Sequence, residues 1–508
     1  MEEENTFLWT RTILILVLAL GLSRVFFLTV FMGSHYKEQA TENMIKVESV
    51  QATRGVISDR NGKPLAMNIE NEGKTVRFYP GGEMTAAIVG YLGKPLEENT
   101  PQDILVGRVG LESAYQERLA GKAGETLVEE TAQGTKKTEI KKTDPVPGEN
   151  LITNIDWDVQ KIAFSALKNT LGTVGKSGAV VVATVDGKVL ALASAPSYDS
   201  NLFVQNGKRS DFGGDFKDVS DLLKDNDKKP LFNRALSGDF APGSVYKLVP
   251  ALAALEEKKI TKDTLIQDSG EIVIGNYRFG NWLLDKYGQT EGEINVEKAI
   301  ARSNDIFFYK IGEALGVDNL VSWSKKLGLG EKTGIDLPGE SDGFLPTPYW
   351  REKTFGEKWF LGNTYHMSIG QGDLMATPLQ INRMTAAVVS GQKCAPRLIG
   401  TSACTDLKIT EANKETVLDG MKAACDKGGT AFPLYDYGGK IYCKTGTAQK
   451  GGAETEPNAW LSMVVPVGQN IKDWVVVTVL VEEGGEGSAV AAPIAKELVP
   501  PFLKQEDL

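Results

Sequence analysis

The stretch FAPGSVYKLVPALAALEE, residues 240–257, decides how the rest of the chain is read. Pro242-Gly243 is a breaker pair, and the apolar run after it has helical spacing, so Ser244 falls at a helix N-terminus. Lys247 follows three positions later, a separation that sets two side chains on one helical face. Taken alone, the pair reads as a capping serine beside a solvated charge. A serine hydroxyl becomes a competent nucleophile only when a base takes its proton. A lysine is such a base only when burial and neighbouring cations lower its pKa.

Two further segments supply the missing parts. In IYCKTGTAQ, residues 441–449, Lys444 is a candidate second cation on a strand. Thr445, Gly446 and Thr447 follow it, the glycine leaving room for a strand-pairing peptide to approach. In ARSNDIFFYKIG, residues 301–312, Ser303 and Asp305 open another helical run, a pattern that by itself suits an N-cap with an acidic first turn.

The surrounding chain predicts an α+β fold. Residues 151–171 read as a short strand leading through Asp156 and Asp158 into an amphipathic helix. GAVVVATVDGKVLALAS, residues 178–194, reads as two strands joined at Asp186-Gly187, and two more strands fall at residues 459–467 and 473–483. The segments between are mostly helical or loop by pattern, so strands from both ends of the domain form one sheet with helices inserted. Upstream, RGVISDRNGKPLA (residues 54–66) predicts a hairpin at Asn61-Gly62, within a small elongated module that runs from 34 to 150. Gly175-Lys176-Ser177 mimics the end of a phosphate loop, but Thr170 stands where that motif needs glycine and the segment precedes a strand; it is read as a plain loop.

Composition removes other classes of function. A net charge of −10, from 56 Lys+Arg against 66 Asp+Glu, offers phosphate backbones no general attraction, and no nucleic-acid partner is expected. The two histidines, His35 and His366, are too far apart for a histidine-based triad or a histidine-rich metal site, and His366 beside Tyr365 is read as packing. Residues 12–33 give about 20 apolar positions broken by Arg24, enough to span a bilayer once. Flanking charges do not orient this span: Glu2, Glu3 and Glu4 precede it, and Lys37 and Lys46 follow. Four cysteines lie in the last quarter of the chain. In an exported protein they allow two disulfides, with the sequential pairing Cys394–Cys404 and Cys425–Cys443 preferred and four buried thiols as the alternative.

The order SxxK, then SxD, then KTG, with gaps of 59 and 141 residues, is far more specific than any one box. It resembles the penicillin-recognising enzymes, the penicillin-binding proteins and serine β-lactamases. Over nearly its whole length the chain is similar to a class B penicillin-binding protein. SAPSYDSNLF (194–203), the segment 345–380 and the SxD variant most resemble the elongation-type, penicillin-binding protein 2-like branch, with the septal branch as near neighbour. The resemblance implies a short cytoplasmic tail (1–11), a transmembrane anchor (12–33), a pedestal (34–150) and a transpeptidase domain (151–508) with an antiparallel sheet flanked by helices.

By the same resemblance, Ser244 attacks the carbonyl between the terminal D-alanines of a peptidoglycan stem peptide and Lys247 accepts its proton. Ser303 relays a proton to the leaving amine with help from Lys444, which also draws the substrate carboxylate together with Thr445. The backbone N–H groups of Ser244 and Thr447 form the oxyanion hole. β-Lactams acylate the same serine, and a SEDS-family glycosyltransferase in the membrane is the implied partner, with Arg24 a candidate contact. Three features depart from the commoner pattern. Asp305 replaces an asparagine, and is expected to pair with Lys247 or orient Ser303. Only about 40 residues separate Ala66 from Arg108, fewer than the enlarged head of the branch, which puts partner contacts through that head in question. No His or Cys lies between Ser244 and Ser303, so the zinc site of some members is not expected, and neither is any other cofactor. A carboxypeptidase or β-lactamase of the same fold, and a non-catalytic penicillin-binding sensor, are the rival functions.

Overall fold

In the computed structural model the apolar run near the N-terminus is helical: it is rich in leucine and holds no proline, and the single Gly21 inside it is tolerated. Helix α1 (Glu2–Phe26) continues through a π turn at Phe27–Phe31. The most apolar 18-residue window within Asn5–Phe31 has a mean hydropathy of 2.5 and none of it is buried within the protein, as a candidate membrane span requires. The structure describes residues 2–42, 45–95, 105–130, 136–205, 207–449 and 455–503. These fall into two units, Met1–Gly55 with Ala120–Glu149, and Val56–Leu119 with Asn150–Leu508. The stretch 34–150, which reads as one module in sequence, is thus shared between them.

In the first unit, β1 (Ile45–Val50), β2 (Gly124–Glu130) and β3 (Lys136–Thr143) form an antiparallel sheet in the order β1-β2-β3, with Val47 opposite Leu127. The edge strand β3 reads KKTEIKKT, and its lysines discourage pairing with another chain.

The second unit is organised by a five-stranded antiparallel sheet. The Asp156 carboxylate caps α2 (Trp157–Leu171) by accepting the N–H groups of Asp158 and Val159. Then β4 (Ser177–Thr184) and β5 (Val189–Ala195) form the hairpin expected around Asp186-Gly187. The middle of the chain contributes α3 (Leu248–Glu256), α4 (Val296–Arg302), α5 (Asp305–Lys326, broken at Gly316), α6 (Pro378–Ser390) and α7 (Glu411–Cys425). Strands β6 (Tyr442–Ala448), β7 (Asn458–Val465) and β8 (Val475–Glu482) complete the sheet in the order β5-β4-β8-β7-β6. The last strand in sequence is therefore the middle strand in space, and β6 lies at an edge.

The sheet is buried on both faces, so its strands are nearly continuous apolar runs instead of alternating ones. Alternate residues of β8 enter two separate cores: Val477, Val479 and Val481 pack in one, Val476 and Leu480 in the other. The polar Thr478 is satisfied by Asn382 of α6 and Ser462 of β7.

Three two-stranded sheets interrupt the helical middle: Ile266–Asp268 with Gly292–Ile294, Glu271–Ile274 with Tyr277–Gly280, and Gln392–Cys394 with Cys404–Asp406. Segments of three or four residues are too short for a periodic signal, and pattern reading passes over them. Cys394 and Cys404 are opposite in the last of these sheets and form a disulfide; Cys425 and Cys443 form the second. Closing a loop of sequence separation 10 restricts the unfolded chain by about 3 kcal/mol. The Cys394→Ala/Cys404→Ala variant is expected to lose about that much in denaturant unfolding.

Candidate active site

The 240s segment approaches the sheet edge because two glycines allow it. Gly243 has φ +56°, which turns the chain into the single 3₁₀ turn Gly243–Lys247 that precedes α3. At Gly446 a Cβ would lie 3.1 Å from both the Pro242 carbonyl oxygen and Val245 Cγ1, and 3.0 Å from Trp460 Cβ. The room the sequence reading reserves there for a ligand backbone is thus used by the protein, to bring β6 against the Ser244 turn. The Trp460 indole N–H donates to the Ala241 carbonyl at 3.0 Å and holds the same segment on β7.

In this turn Ser244 is half-buried and Lys247 is wholly buried, 0% exposed. The Lys247 ammonium donates to Asp305 Oδ1 at 2.6 Å, to the Ser303 carbonyl at 2.8 Å and to Ser303 Oγ at 3.4 Å. Its Nζ also lies 5.3 Å from the centre of the Phe308 ring. Lys444, in the middle of β6 and also 0% exposed, donates to Ser303 Oγ at 2.9 Å and to the Thr445 carbonyl at 2.9 Å. The Ser303 hydroxyl therefore accepts from both amines. With its two lone pairs occupied, its own O–H remains free to donate.

Backbone geometry puts Ser303 there. It ends α4 in the left-handed conformation, φ 55°, and Asn304, whose side-chain oxygen accepts the Phe307 N–H, starts α5. Two helices thus meet at Ser303, where the sequence pattern places an N-cap. The cap is Asn304, not Ser303. Asp305 in the first turn accepts from Lys247 through Oδ1 and from the Trp282 N–H, 3.2 Å, through Oδ2.

Burial pulls the Lys247 pKa below the ordinary lysine value, against the upward effect of Asp305. Lys444 is pushed well below it, first by burial and then by the nearby Lys247 charge, with only a distant pull from Asp305 in the other direction. Of the two amines, only Lys247 has a carboxylate bonded to it.

Direct hydrogen bonds thus join Lys247, Ser303, Asp305 and Lys444. Ser244 makes none of these bonds but stands one turn before Lys247 on the same face. The Thr445 hydroxyl is bonded to Thr430 Oγ1 at 2.7 Å. Thr447 is exposed at the rim, where its carbonyl accepts from Gln371 Nε2 at 3.3 Å and its hydroxyl from the Gly487 N–H at 3.3 Å. Tyr365 turns into an aromatic cluster with Phe279 and Tyr309. His366, read from sequence as packing, is instead exposed, with its ring 5.5 Å from that of Phe279. In the Gly175-Lys176-Ser177 loop, Lys176 pairs with Glu483 at 2.5 Å and Ser177 with Glu482 at 2.6 Å. Thr430, Gln371, Trp282 and Asn304 carry no motif, and only the Asn-Asp pair ahead of an apolar run hints at the cap.

A model described as the penicillin binding protein transpeptidase domain matches residues 177–500, and one of the penicillin-binding protein dimerisation domain matches 68–153. The chain belongs to the penicillin-binding protein transpeptidase family. Similar relatives include the peptidoglycan D,D-transpeptidases MrdA of Acinetobacter baumannii and Haemophilus influenzae. The first is 31% identical over 80% of this chain and 61% of its own length, the second 31% over 84% and 69%. Among solved structures, Pseudomonas aeruginosa PBP2 in complex with WCK 5153 is 32% identical, with a TM-score of 0.76 over 91% of this chain and 98% of that one. Helicobacter pylori PBP2 in its complex with MreC is 26% identical, TM-score 0.76, over 90% and 98%. A chain from a peptidoglycan synthase complex that coordinates polymerization and crosslinking is 28% identical, TM-score 0.79, over 97% and 98%. These relatives place the chain in the family's PBP2 branch.

Proposed function

We propose that this penicillin-binding protein is a serine D-Ala-D-Ala transpeptidase that cross-links peptidoglycan stem peptides during cell-wall elongation. The observation that carries the reading is the Ser303 hydroxyl held between two buried amines, one of them a turn beyond Ser244. Ser244 Oγ attacks the carbonyl of the penultimate D-alanine, forming an ester, and its proton goes to neutral Lys247. As the amide C–N bond breaks, the departing D-alanine nitrogen takes a proton from the Ser303 hydroxyl, which is resupplied by the amines bonded to it. An amine of a neighbouring stem peptide then attacks the ester. The new amide forms, the C–O bond breaks and Ser244 recovers its proton.

The backbone N–H groups of Ser244 and Thr447 are the oxyanion donors in this reading. The close approach of the two backbones supports it, since a Cβ on Gly243 would lie 2.9 Å from the Thr447 carbonyl oxygen. Because Lys444 is buried, it acts on the substrate carboxylate through its field, while the exposed Thr447 at the rim makes the contact. Strand β6, at the sheet edge, receives the stem peptide as an added strand.

Asp305 raises the Lys247 pKa, so Asp305→Asn removes that effect and leaves burial unopposed. If neutral Lys247 is the base, acylation rises with pH through its pKa, and this rise is expected at lower pH in Asp305→Asn than in the wild type. A pH profile of the second-order acylation constant checks it; an unmoved or alkaline-shifted rise contradicts the assignment.

The α1 span anchors the protein, with the catalytic unit on the outer side where its substrate lies, the tail inside, and residues 34–150 serving as pedestal. A SEDS-family glycosyltransferase supplies the glycan strands. The decisive experiment incubates the full-length protein in detergent with glycan strands bearing pentapeptide stems. Cross-linked dimers, abolished by penicillin, are expected in mass spectra. Shortened monomers without dimers would replace the transpeptidase reading with a carboxypeptidase.

A further inference from the structure

Asp268 is 1% exposed, and among the described residues no cation is bonded to its carboxylate. Its Oδ1 accepts the Gly270 N–H at 2.8 Å. Its Oδ2 accepts Asn281 Nδ2 at 2.9 Å, the Glu291 N–H at 2.9 Å and Asn304 Nδ2 at 2.8 Å. The two asparagines are also buried, Asn281 0% and Asn304 1% exposed. Holding a carboxylate in such a place is costly unless its lone pairs are filled, and here four neutral donors from four points of the chain fill them.

A carboxylate only accepts, so both amides must turn their NH₂ groups toward it. That choice fixes where their oxygens point. Asn304 Oδ1 takes the Phe307 N–H and starts α5; Asn281 Oδ1 takes the Asp305 N–H at 3.2 Å. Asp305 is thereby held by its backbone on one side and through its carboxylate on Lys247 on the other. Ser303, whose carbonyl and hydroxyl both receive Lys247, immediately precedes the cap.

We infer that Asp268 is a positioning residue for acyl transfer: by setting the orientation of the Asn281 and Asn304 amides, it aligns Ser303 and Asp305 around Lys247. Asp268 touches no reacting atom. The inference rests on the reading of Ser244 as the acylated nucleophile and of Lys247 as its base. Asp268→Asn keeps the shape but replaces one acceptor oxygen by an NH₂ group, which opposes either the three donors on the Oδ2 side or the Gly270 N–H on the Oδ1 side and removes the charge all four are bonded to, so the amides lose their fixed orientation.

The experiment measures acylation of the full-length protein by a fluorescent penicillin, as a second-order constant across pH, beside thermal unfolding. The wild type is expected to label at Ser244; an unlabelled wild type overturns the functional reading itself. Asp268→Asn is expected to acylate about 100-fold more slowly, the scale of a misplaced catalytic group. The acid-side rise of its profile moves to lower pH, because Lys247 loses the upward effect of the Asp305 carboxylate and retains the downward effect of burial. A purely structural role would lower the folded fraction without moving that profile. Asn304→Ser keeps an oxygen to cap α5 while removing the donor to Asp268, and carries the same test should Asp268→Asn fail to fold; about a 10-fold loss is expected. Acylation within threefold of wild type in either folded variant, or a loss with an unmoved profile, overturns the inference.

Discussion

Ser244→Ala is expected to leave a folded protein that forms no acyl-enzyme, a loss on the order of 10⁴-fold or more in cross-linking, because no other group can supply the covalent intermediate. Ser244 is half-buried at the start of a turn whose fold depends on Gly243 and on the Trp460 contact to Ala241, not on the serine hydroxyl, which makes none of the bonds joining Lys247, Ser303, Asp305 and Lys444. Stability should therefore change little, within about 1 kcal/mol. The measurement is intact-protein mass after incubation with a β-lactam: the wild type gains one adduct and the variant none. An adduct of equal yield on Ser244→Ala would move the nucleophile elsewhere. Full cross-linking by the variant would make the site a scaffold.

The second large effect comes from Lys247→Met. The side chain keeps similar bulk, but the variant loses the base and leaves Asp305, 13% exposed, without its ion-pair partner. Removing a general base costs roughly 10²–10⁴-fold, and the upper end is expected because Ser303 loses one of its two donors at the same time. Abandoning a buried carboxylate costs about 3 kcal/mol. The double variant Lys247→Met/Asp305→Asn is expected to recover most of the stability and none of the activity. A double variant as unstable as the single would show that the loss comes from packing against Phe308 instead of from the orphaned charge.

The candidate site was legible in the sequence to the extent that it is local. SxxK is an i,i+3 spacing in one turn, and KTG is contiguous on one strand; local geometry alone fixes both, and three boxes in order restricted the alternatives. The hairpin at Asp186-Gly187 and the helix after Asp156 were equally visible, since turn chemistry and a capping residue are written at fixed offsets. What sequence pattern could not show is partnership at a distance. Asp268 meets Asn281 and Asn304 across 13 and 36 residues with no periodicity to mark them. Thr430 reaches Thr445 from a loop. A helix start near Ser303 was visible, but the cap is Asn304, and only the left-handed backbone at Ser303 shows where the preceding helix ends. Nor does composition reveal that 56–119 groups with the catalytic domain while 120–149 does not.

The strand at the centre of the large sheet, Val475–Glu482, is the last of its five in sequence, and it pairs with Ser177–Thr184, some 300 residues earlier. The five-stranded sheet cannot close until that strand is in place, so until then two apolar faces stay uncovered. Such long-range closure is slow and exposed to aggregation. A chain that lacked Val475–Glu482 would lose the keystone of the sheet, the strand on which both neighbouring strands pair.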